Sequence, residues 1–234
     1  MNNSSGINFE RAFTFMFQED EWVMKFVIGV LMAVLAIFII PGIILQGYVI
    51  AIARRVRNGQ QPELPEWEDW GKFLSDGFAY MIAALIYALP MILLVICFMV
   101  IFLFGVAGAD AGGGSEDALA GLSLLMVCCL TLFLMLYALF MIAFLFVGTV
   151  NYIRKGSIGA FFQFGYLWKE LRANLGRYGI VAIAAFAASM VGSIIPIVGS
   201  LWSQYATGHF LGQLARGEVG LGNDFSETAL HDLT

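Results

Sequence analysis

Polar side chains are scarce in the apolar parts of this sequence, and most gather in the last of them: Ser189, Ser193, Ser200, Ser203, Gln204, Thr207 and His209. Set against Gln46 and Tyr48 of the first apolar block, Ser200, Gln204, Thr207 and His209 could line a small polar cavity able to hold a solute. The competing reading is helix packing. The run AIAAFAASMVGS repeats small residues four apart, as at Ala184/Ala188 and Ala188/Gly192. That spacing lets backbones approach while hydroxyls bond across the seam. His209 alone fits a hydrogen-bonded interfacial residue better than a ligand or a general base.

Other chemistries find little support. Cys97, Cys128 and Cys129 lie inside apolar runs and read as buried, inert small hydrophobes. With two histidines in the chain, no Cys/His spacing points to a metal, and no cofactor is expected. No nucleophile sits beside a base. Ser115 belongs to a glycine-rich stretch without the lysine and following helix of a phosphate loop, and that stretch reads as a flexible linker. Catalysis is therefore not expected. An ion-coupled pump keeps ionisable groups at membrane depth. Residues 26–53, 78–105 and 119–150 hold none, which argues against a proton or sodium relay. A net charge of −5 without a basic arm excludes a nucleic-acid partner.

The elements that must carry these residues follow from composition. Of 234 residues 60% are hydrophobic and 12% charged, with a mean hydropathy of +0.84. Soluble domains are far more charged, so the expected class is all-α and polytopic in a membrane. The opening MNNSSGINFE lacks a basic n-region and a cleavage site, so no removable signal peptide is expected. Four apolar blocks stand out, at 22–53, 78–105, 119–150 and 178–214. The second and third each suit one long helix, with Pro90 a point of kinking in the second.

The first and last blocks are each interrupted by Ile-Ile-Pro about 18 residues in. Each then carries a glycine followed by a ring (Gly47-Tyr48, Gly208-His209), and each ends in arginine and a closing glycine. If both interruptions are tight turns, each block is a hairpin of two short helices, and the chain holds six. With both termini cytoplasmic, all 12 Lys and Arg residues then fall inside, as expected for cytoplasmic loops. The one sizeable outer loop, 105–121, carries Asp110, Glu116 and Asp117 and no base. The alternative is four spans, with the first and last blocks crossing once each. That would place Arg11 and Lys25 outside, and would make 22–53 a helix of about 48 Å against a hydrocarbon core of about 30 Å.

Between the blocks lie amphipathic stretches. In LPEWEDWGKFLSDGF, Pro65 suits a first helical position, and Glu66, Glu68 and Asp69 complement the helix dipole. Trp67, Trp70, Phe73 and Leu74 then share a face opposite Glu68, Asp69, Lys72 and Asp76. This is the pattern of a helix lying in the membrane interface. Similar stripes precede the other two hairpins, at Phe9, Ala12, Phe13, Met16 and Phe17, and at Phe161, Phe164, Trp168, Leu171 and Leu175. Trp22, Trp67, Trp70 and Trp168 are the expected interface anchors. The competing reading is connecting helices packed on protein. The chain thus reads as one membrane domain, 1–217, in three modules (8–59, 60–156 and 157–217). Each module is an interfacial helix, a hairpin and a basic closing turn. An acidic tail, 218–234, is expected to be mobile in the cytoplasm.

The pieces IIPGIILQGYVIAIARRVRNG, LPEWEDWGKFLSDGF, IYALP and YATGHFLGQLARG, in that order from about residue 8 to 217, resemble a family of prokaryotic membrane proteins known as domain of unknown function 4013. The resemblance implies an integral protein of a bacterial or archaeal cytoplasmic membrane, and attaches no activity. The acidic FQEDEW before the first span and the glycine-rich outer stretch depart from the family's pattern.

Two functional expectations stand. One is a non-catalytic accessory or scaffold protein whose cytoplasmic amphipathic shelf meets membrane lipid or a soluble cytoplasmic protein. The other is a small-solute or lipid transporter, working as a homo-oligomer, with its site between the broken first and last blocks.

Overall fold

The computed structural model describes residues 7–61, 63–112 and 116–217, and every regular element among them is helical. The α-helices are α1 (Phe9–Thr14), α2 (Trp22–Val34), α3 (Ile40–Asn58), α4 (Trp70–Gly112), α5 (Glu116–Lys155), α6 (Phe164–Ala173), α7 (Leu175–Gly192) and α8 (Val198–Arg216). Short 3-10 turns at Phe15–Gln18, Leu35–Phe38 and Ile158–Phe162 join some of them. The chain divides into two compact units, one made of residues 82–146 and the other of everything before and after.

The 82–146 unit holds the C-terminal part of α4 and the N-terminal part of α5. Over 82–103 and 124–146 its surface is mostly exposed Leu, Ile, Val, Met and Phe. Its internal ties are the Tyr137 hydroxyl donating to the Tyr87 carbonyl (2.7 Å) and the Phe140 and Phe144 rings 4.2 Å apart. Both helices are long and apolar enough to cross a membrane, as is α7. A fourth crossing is added if the apolar pair Phe9–Gln18 and Trp22–Phe38, bent by 101°, counts as one.

That corrects several expectations. By length and composition alone three or four helices qualify as crossings; the six expected do not all qualify by that measure, because α2 has 13 residues and α3 and α8 are weakly apolar. Helix α4 runs unbroken through Pro90 and on to Gly112, and α5 begins at Glu116. The linker expected at 105–121 is therefore helical on both flanks; Ser115 and the tail 218–234 lie outside the described residues. Extending a helix adds a hydrogen bond per residue without the cost of nucleation, so Ala107, Ala109 and Ala111 carry the helix past the glycines. Cys97, Cys128 and Cys129 are exposed on these helices, not buried.

In the other unit the Ile-Ile-Pro sites are real breaks, but not identical ones. At the first, Ile39, the first isoleucine of the triplet, has φ 65° and ψ −56°. At the second, Ile197, just past the proline, has φ 67° and ψ −64°. These are the angles of a γ-turn of positive φ, a rare and strained conformation, and the Val198 amide donates to the Pro196 carbonyl across it (2.8 Å). The tips are bare and apolar. Ile37 is 83% exposed, and Phe38, Ile39, Ile194 and Ile195 are exposed with it.

Below the tips, α3 is the axis. A Cβ on Gly47 would collide with the Phe73 carbonyl of α4, and one on Gly77 of α4 would collide with the Ile43 carbonyl of α3. On the other flank, a Cβ on Gly208 of α8 would meet the Val49 carbonyl at 2.9 Å, and one on Gly212 the Ala53 carbonyl at 2.5 Å. Four glycines thus bring backbone against backbone. The core around them is Tyr48, Ile52, Leu201, Tyr205 and Phe73.

The basic closing turns form a ring. Gly59 (φ +67°) and Gly156 (φ +70°) end α3 and α5 in the left-handed conformation, which glycine adopts without steric penalty. Arg57, at the end of α3, donates to the Ile153 and Arg154 carbonyls that end α5 (3.1 and 3.2 Å). Arg154 donates to Leu214 and Ala215 at the end of α8 (3.0 and 3.2 Å). Arg216 closes the circle on Val56 and Arg57 of α3. Each helix lends its arginine to the next.

Replacing Gly47 or Gly77 with Ala should force α3 and α4 apart at a cost of about 1–3 kcal/mol. Gly71→Ala, on α4 with open space around it, should be neutral or stabilising by up to about 1 kcal/mol. Thermal unfolding of the three variants in detergent checks the contrast; equal effects would refute the close crossing.

A buried clamp on residues 63–67

The amphipathic helix expected from Pro65 onward does not form. Residues 64–69 are non-helical and α4 starts at Trp70. Leu64, the residue before Pro65, is pushed out of the helical region, and residues 65–67 are held by contacts of their own. The segment is held instead by every element around it.

Glu63 accepts from Arg11 of α1 (Nε, 2.9 Å) and from Gln61 (3.0 Å), and lies 2.9 Å from Nε2 of His209 on α8. The Leu64 amide donates to Glu19 (2.7 Å), and its carbonyl accepts from Lys25 of α2 (3.2 Å). The Pro65 carbonyl accepts from the Tyr48 hydroxyl (2.8 Å). Lys25, buried to 4% exposure, also pairs with Glu19 (3.1 Å) and Glu66 (2.7 Å). Trp67, 8% exposed, donates its indole N–H to the Lys25 carbonyl (2.9 Å) and stacks on Tyr48, rings 3.9 Å apart and nearly parallel.

The repeated glycine-ring pairs now have a reason. Gly47 and Gly208 make the close crossings, and the rings that follow them, Tyr48 and His209, both reach the same short connection. Backbone groups orient the imidazole. Gln213 gives its oxygen to the Asn8 amide (2.7 Å) and its nitrogen to the Asn8 carbonyl (2.9 Å), so that same nitrogen faces Nδ1 of His209 (2.9 Å). Nδ1 therefore accepts, and Nε2–H donates to Glu63. Both ring nitrogens are engaged, and neither is left for a substrate.

A second ionic cluster joins Arg54 of α3 to Asp76 of α4, with the Tyr152 hydroxyl donating to the same carboxylate (2.7 Å). A third joins Arg154 to Glu170 of α6 (3.1 Å), where Tyr178 also donates (3.3 Å).

Of the six residues expected to line a polar cavity, Tyr48 and His209 are spent on the clamp. The Ser200 and Thr207 hydroxyls donate to carbonyls of their own segment, Ile197 and Ser203. Gln46 and Gln204 are half-buried. Among the expected anchors Trp67 is enclosed by protein, Trp22 is half-buried beside Phe17 and Phe26, and Trp70 and Trp168 are exposed. The α1 stripe is likewise docked, with Ala12 and Met16 buried and Phe13 stacked on Trp202. On α6, Phe164 and Trp168 are exposed while Leu167 packs inward. Lys25, Glu63, Asp76 and Arg54 went unnoticed as a constellation. Their one signal is that charges in so apolar a chain cluster beside the glycine-ring pairs.

Burial pushes the Glu63 carboxyl up, but hydrogen bonds from His209, Arg11 and Gln61 outweigh it and hold it at about 2. A folded value below the ordinary 4.5 means stability that is full above pH 4.5 and lost as pH falls toward 2. Unfolding temperature should therefore drop between pH 5 and pH 2, with about 3 kcal/mol at stake. Glu63→Gln should be less stable at neutral pH and flatter across that window. A variant as acid-sensitive as the parent would show that other carboxylates carry the effect.

One buried group beside the clamp has no hydrogen-bond partner among the described residues: the Tyr205 hydroxyl, pressed against Gly29 of α2. Tyr205→Phe should cost less than about 0.5 kcal/mol or stabilise, since an unsatisfied hydroxyl is lost. Gly29→Ala should clash with that hydroxyl and be relieved in the Tyr205→Phe background, where the ring's end carbon stands 3.3 Å from the new methyl. Additive effects in the double-mutant cycle would overturn this packing.

No curated protein and no solved structure matches the chain. The profile of one family, described as a protein of unknown function, DUF4013, matches residues 20–201. With most of its length matched, including α3, α4 and the clamped connection between them, the chain belongs to the DUF4013 family.

Proposed function

We propose that this is a non-catalytic accessory or scaffold protein of a prokaryotic cytoplasmic membrane, with both termini cytoplasmic and six inserted helices. In this reading α2–α3 and α7–α8 are hairpins, and α4 and α5 cross once each. The observation that carries the reading is the partition of charge. The buried ionic groups collect towards the ends of α3, α5 and α8 and in the connections, while the tips at Ile39 and Ile197 expose apolar side chains and no charge. The Ser193 and Ser200 hydroxyls there are bonded to their own backbone. A γ-turn suits such a tip, because it closes a backbone hydrogen bond locally where no water can. The outward faces of α2 (Val23, Val27, Leu31, Val34) and α7 (Ile180, Ile183, Phe186, Met190) are exposed and apolar, as lipid contact requires.

The transporter reading is weaker. A site between the broken blocks needs space between α3 and α8, and there Gly208 and Gly212 bring backbones together around fully buried Ile52, Tyr205 and Phe210. A soluble cytoplasmic protein, reached through the rigid charged base, is the proposed partner beside membrane lipid; nucleic acid is not.

Single cysteines at Ser4, Ser115 and Thr228, in a background without the three native cysteines, test the topology with an impermeant thiol reagent. Only the Ser115 probe should label in intact cells, and labelling at Ser4 would sink it. Proteoliposomes of the purified protein should show no more small-solute flux than protein-free liposomes. Saturable flux would replace the scaffold reading with the transporter.

A further inference from the structure

Residues 147–217 carry six Lys and Arg side chains and one acid, in a chain whose net charge is −5. Four of the six are spent. Arg154 and Arg216 belong to the arginine ring, Lys155 reaches Gln163 (2.6 Å), and Arg177 lies against Gly217 at the end of α8. The acid, Glu170, is held by Arg154 and Tyr178. That leaves Lys169 and Arg172 of α6. Both are exposed, and neither makes an ion pair or hydrogen bond among the described residues.

Helix α6 presents these charges and its exposed rings on the same face. Phe164, Trp168 and Arg172 stand at i, i+4 and i+8, and Lys169 borders that stripe. Phe164 and Trp168 are half exposed, and the Arg172 guanidinium lies 5.7 Å from the centre of the Trp168 ring. Leu167 and Glu170 turn the other way, into protein.

The depth of this face follows from the next helix. Helix α7 has 18 residues, about 27 Å at 1.5 Å per residue, and needs all of them to cross a hydrocarbon core of about 30 Å. Leu175 then stands at the boundary. Trp168, Lys169 and Arg172 precede it by at most seven residues. They lie within about 10 Å of the core whatever the bend at Asn174, which is the depth of the headgroups.

We propose that this face of α6 binds the phosphodiester headgroup of phosphatidylglycerol. Arg172 and Lys169 donate to the phosphate, and the Trp168 indole lies beside the glycerol backbone. A guanidinium fork matches two phosphate oxygens, and bases at this depth are drawn to anionic lipid. The sign of the ligand follows from the surroundings: with Glu170 turned inward, an ethanolamine ammonium would meet two bases and no carboxylate. An acidic soluble protein would answer the bases as well, but an exposed indole at headgroup depth belongs to lipid. The proposal rests on α7 crossing the membrane in the topology given above.

The test is lipid retention by the purified full-length chain. Protein equilibrated with mixed micelles of equal phosphatidylglycerol and phosphatidylethanolamine is passed through a sizing column, and the bound lipid is identified by mass spectrometry. The parent should enrich phosphatidylglycerol about fivefold or more, the scale of one base beside anionic lipid. The double variant Lys169→Gln/Arg172→Gln should fall to the bulk ratio. Lys169→Arg should keep the enrichment, as should Lys72→Gln, which removes an exposed base from α4. Because Lys169 and Arg172 hold no other element in place, unfolding temperatures should match the parent's. Equal retention of both lipids by the parent, enrichment that survives the double variant, or an equal loss on Lys72→Gln would overturn the site. A double variant that keeps the lipid ratio and sheds a co-eluting protein would make the face a protein interface, and the proposal would fall. Tail-free glycerophosphoglycerol that displaced the lipid at equal concentration would overturn the lipid source. Thiol labelling decides the topology separately, so the two failures are distinguishable.

Discussion

Three helices end together in this protein, and each leaves carbonyl groups that its own turns cannot satisfy. The arginines of those same ends answer them in rotation: Arg57 for α5, Arg154 for α8 and Arg216 for α3. A guanidinium is charged at every relevant pH and offers several donors in a fixed fork, so one side chain can serve two carbonyls at once. It also places positive charge at the negative end of a helix dipole. The ring sets three helix ends side by side, and the glycine crossings and the clamp both depend on that level. If α3 moved by a turn, Gly47 would leave Phe73 and Tyr48 would leave Pro65.

The ring and the clamp divide the work of holding an apolar bundle together. Lipid-facing helices gain little from hydrophobic association, since lipid is as apolar as their own side chains. Close backbone contact and satisfied polar groups must supply the specificity. Here Gly47, Gly77, Gly208 and Gly212 supply the contact, and Lys25, Glu63 and Asp76 supply buried charge that is paired on every side. A buried pair contributes modestly when intact and costs much when broken. Such groups enforce one arrangement more than they add stability.

Much of this could be seen in the chain itself. The long helices α4 and α5 follow from apolar length, the breaks near Pro41 and Pro196 from proline, and the closing turns from Arg-Gly endings. The paired Gly-Tyr and Gly-His were visible as a repeat, though their shared target was not, because nothing local links residue 48 or 209 to residue 65. The reading of 64–69 failed for a definite reason. Tryptophans three apart among acids suit an interfacial helix and a packed extended segment equally well, and the partners that decide between them, Lys25 and Tyr48, lie far back along the chain. The polar residues of α8 failed differently: a hydroxyl that bonds its own backbone looks the same in sequence as one that lines a cavity.

The clamp also bears on the order of events during synthesis. Asn8 and Gln213 are tied by two hydrogen bonds across 205 positions, and Glu63 meets His209 across 146. Contacts so distant along the chain form late. The first hairpin and the connection leave the ribosome with Asn8 and Glu63 lacking their partners on α8, and only that later helix completes them. An interrupted chain is therefore marked by an exposed, half-satisfied acidic segment, and the finished one conceals it. The bond that closes the fold is in effect a check on its completeness.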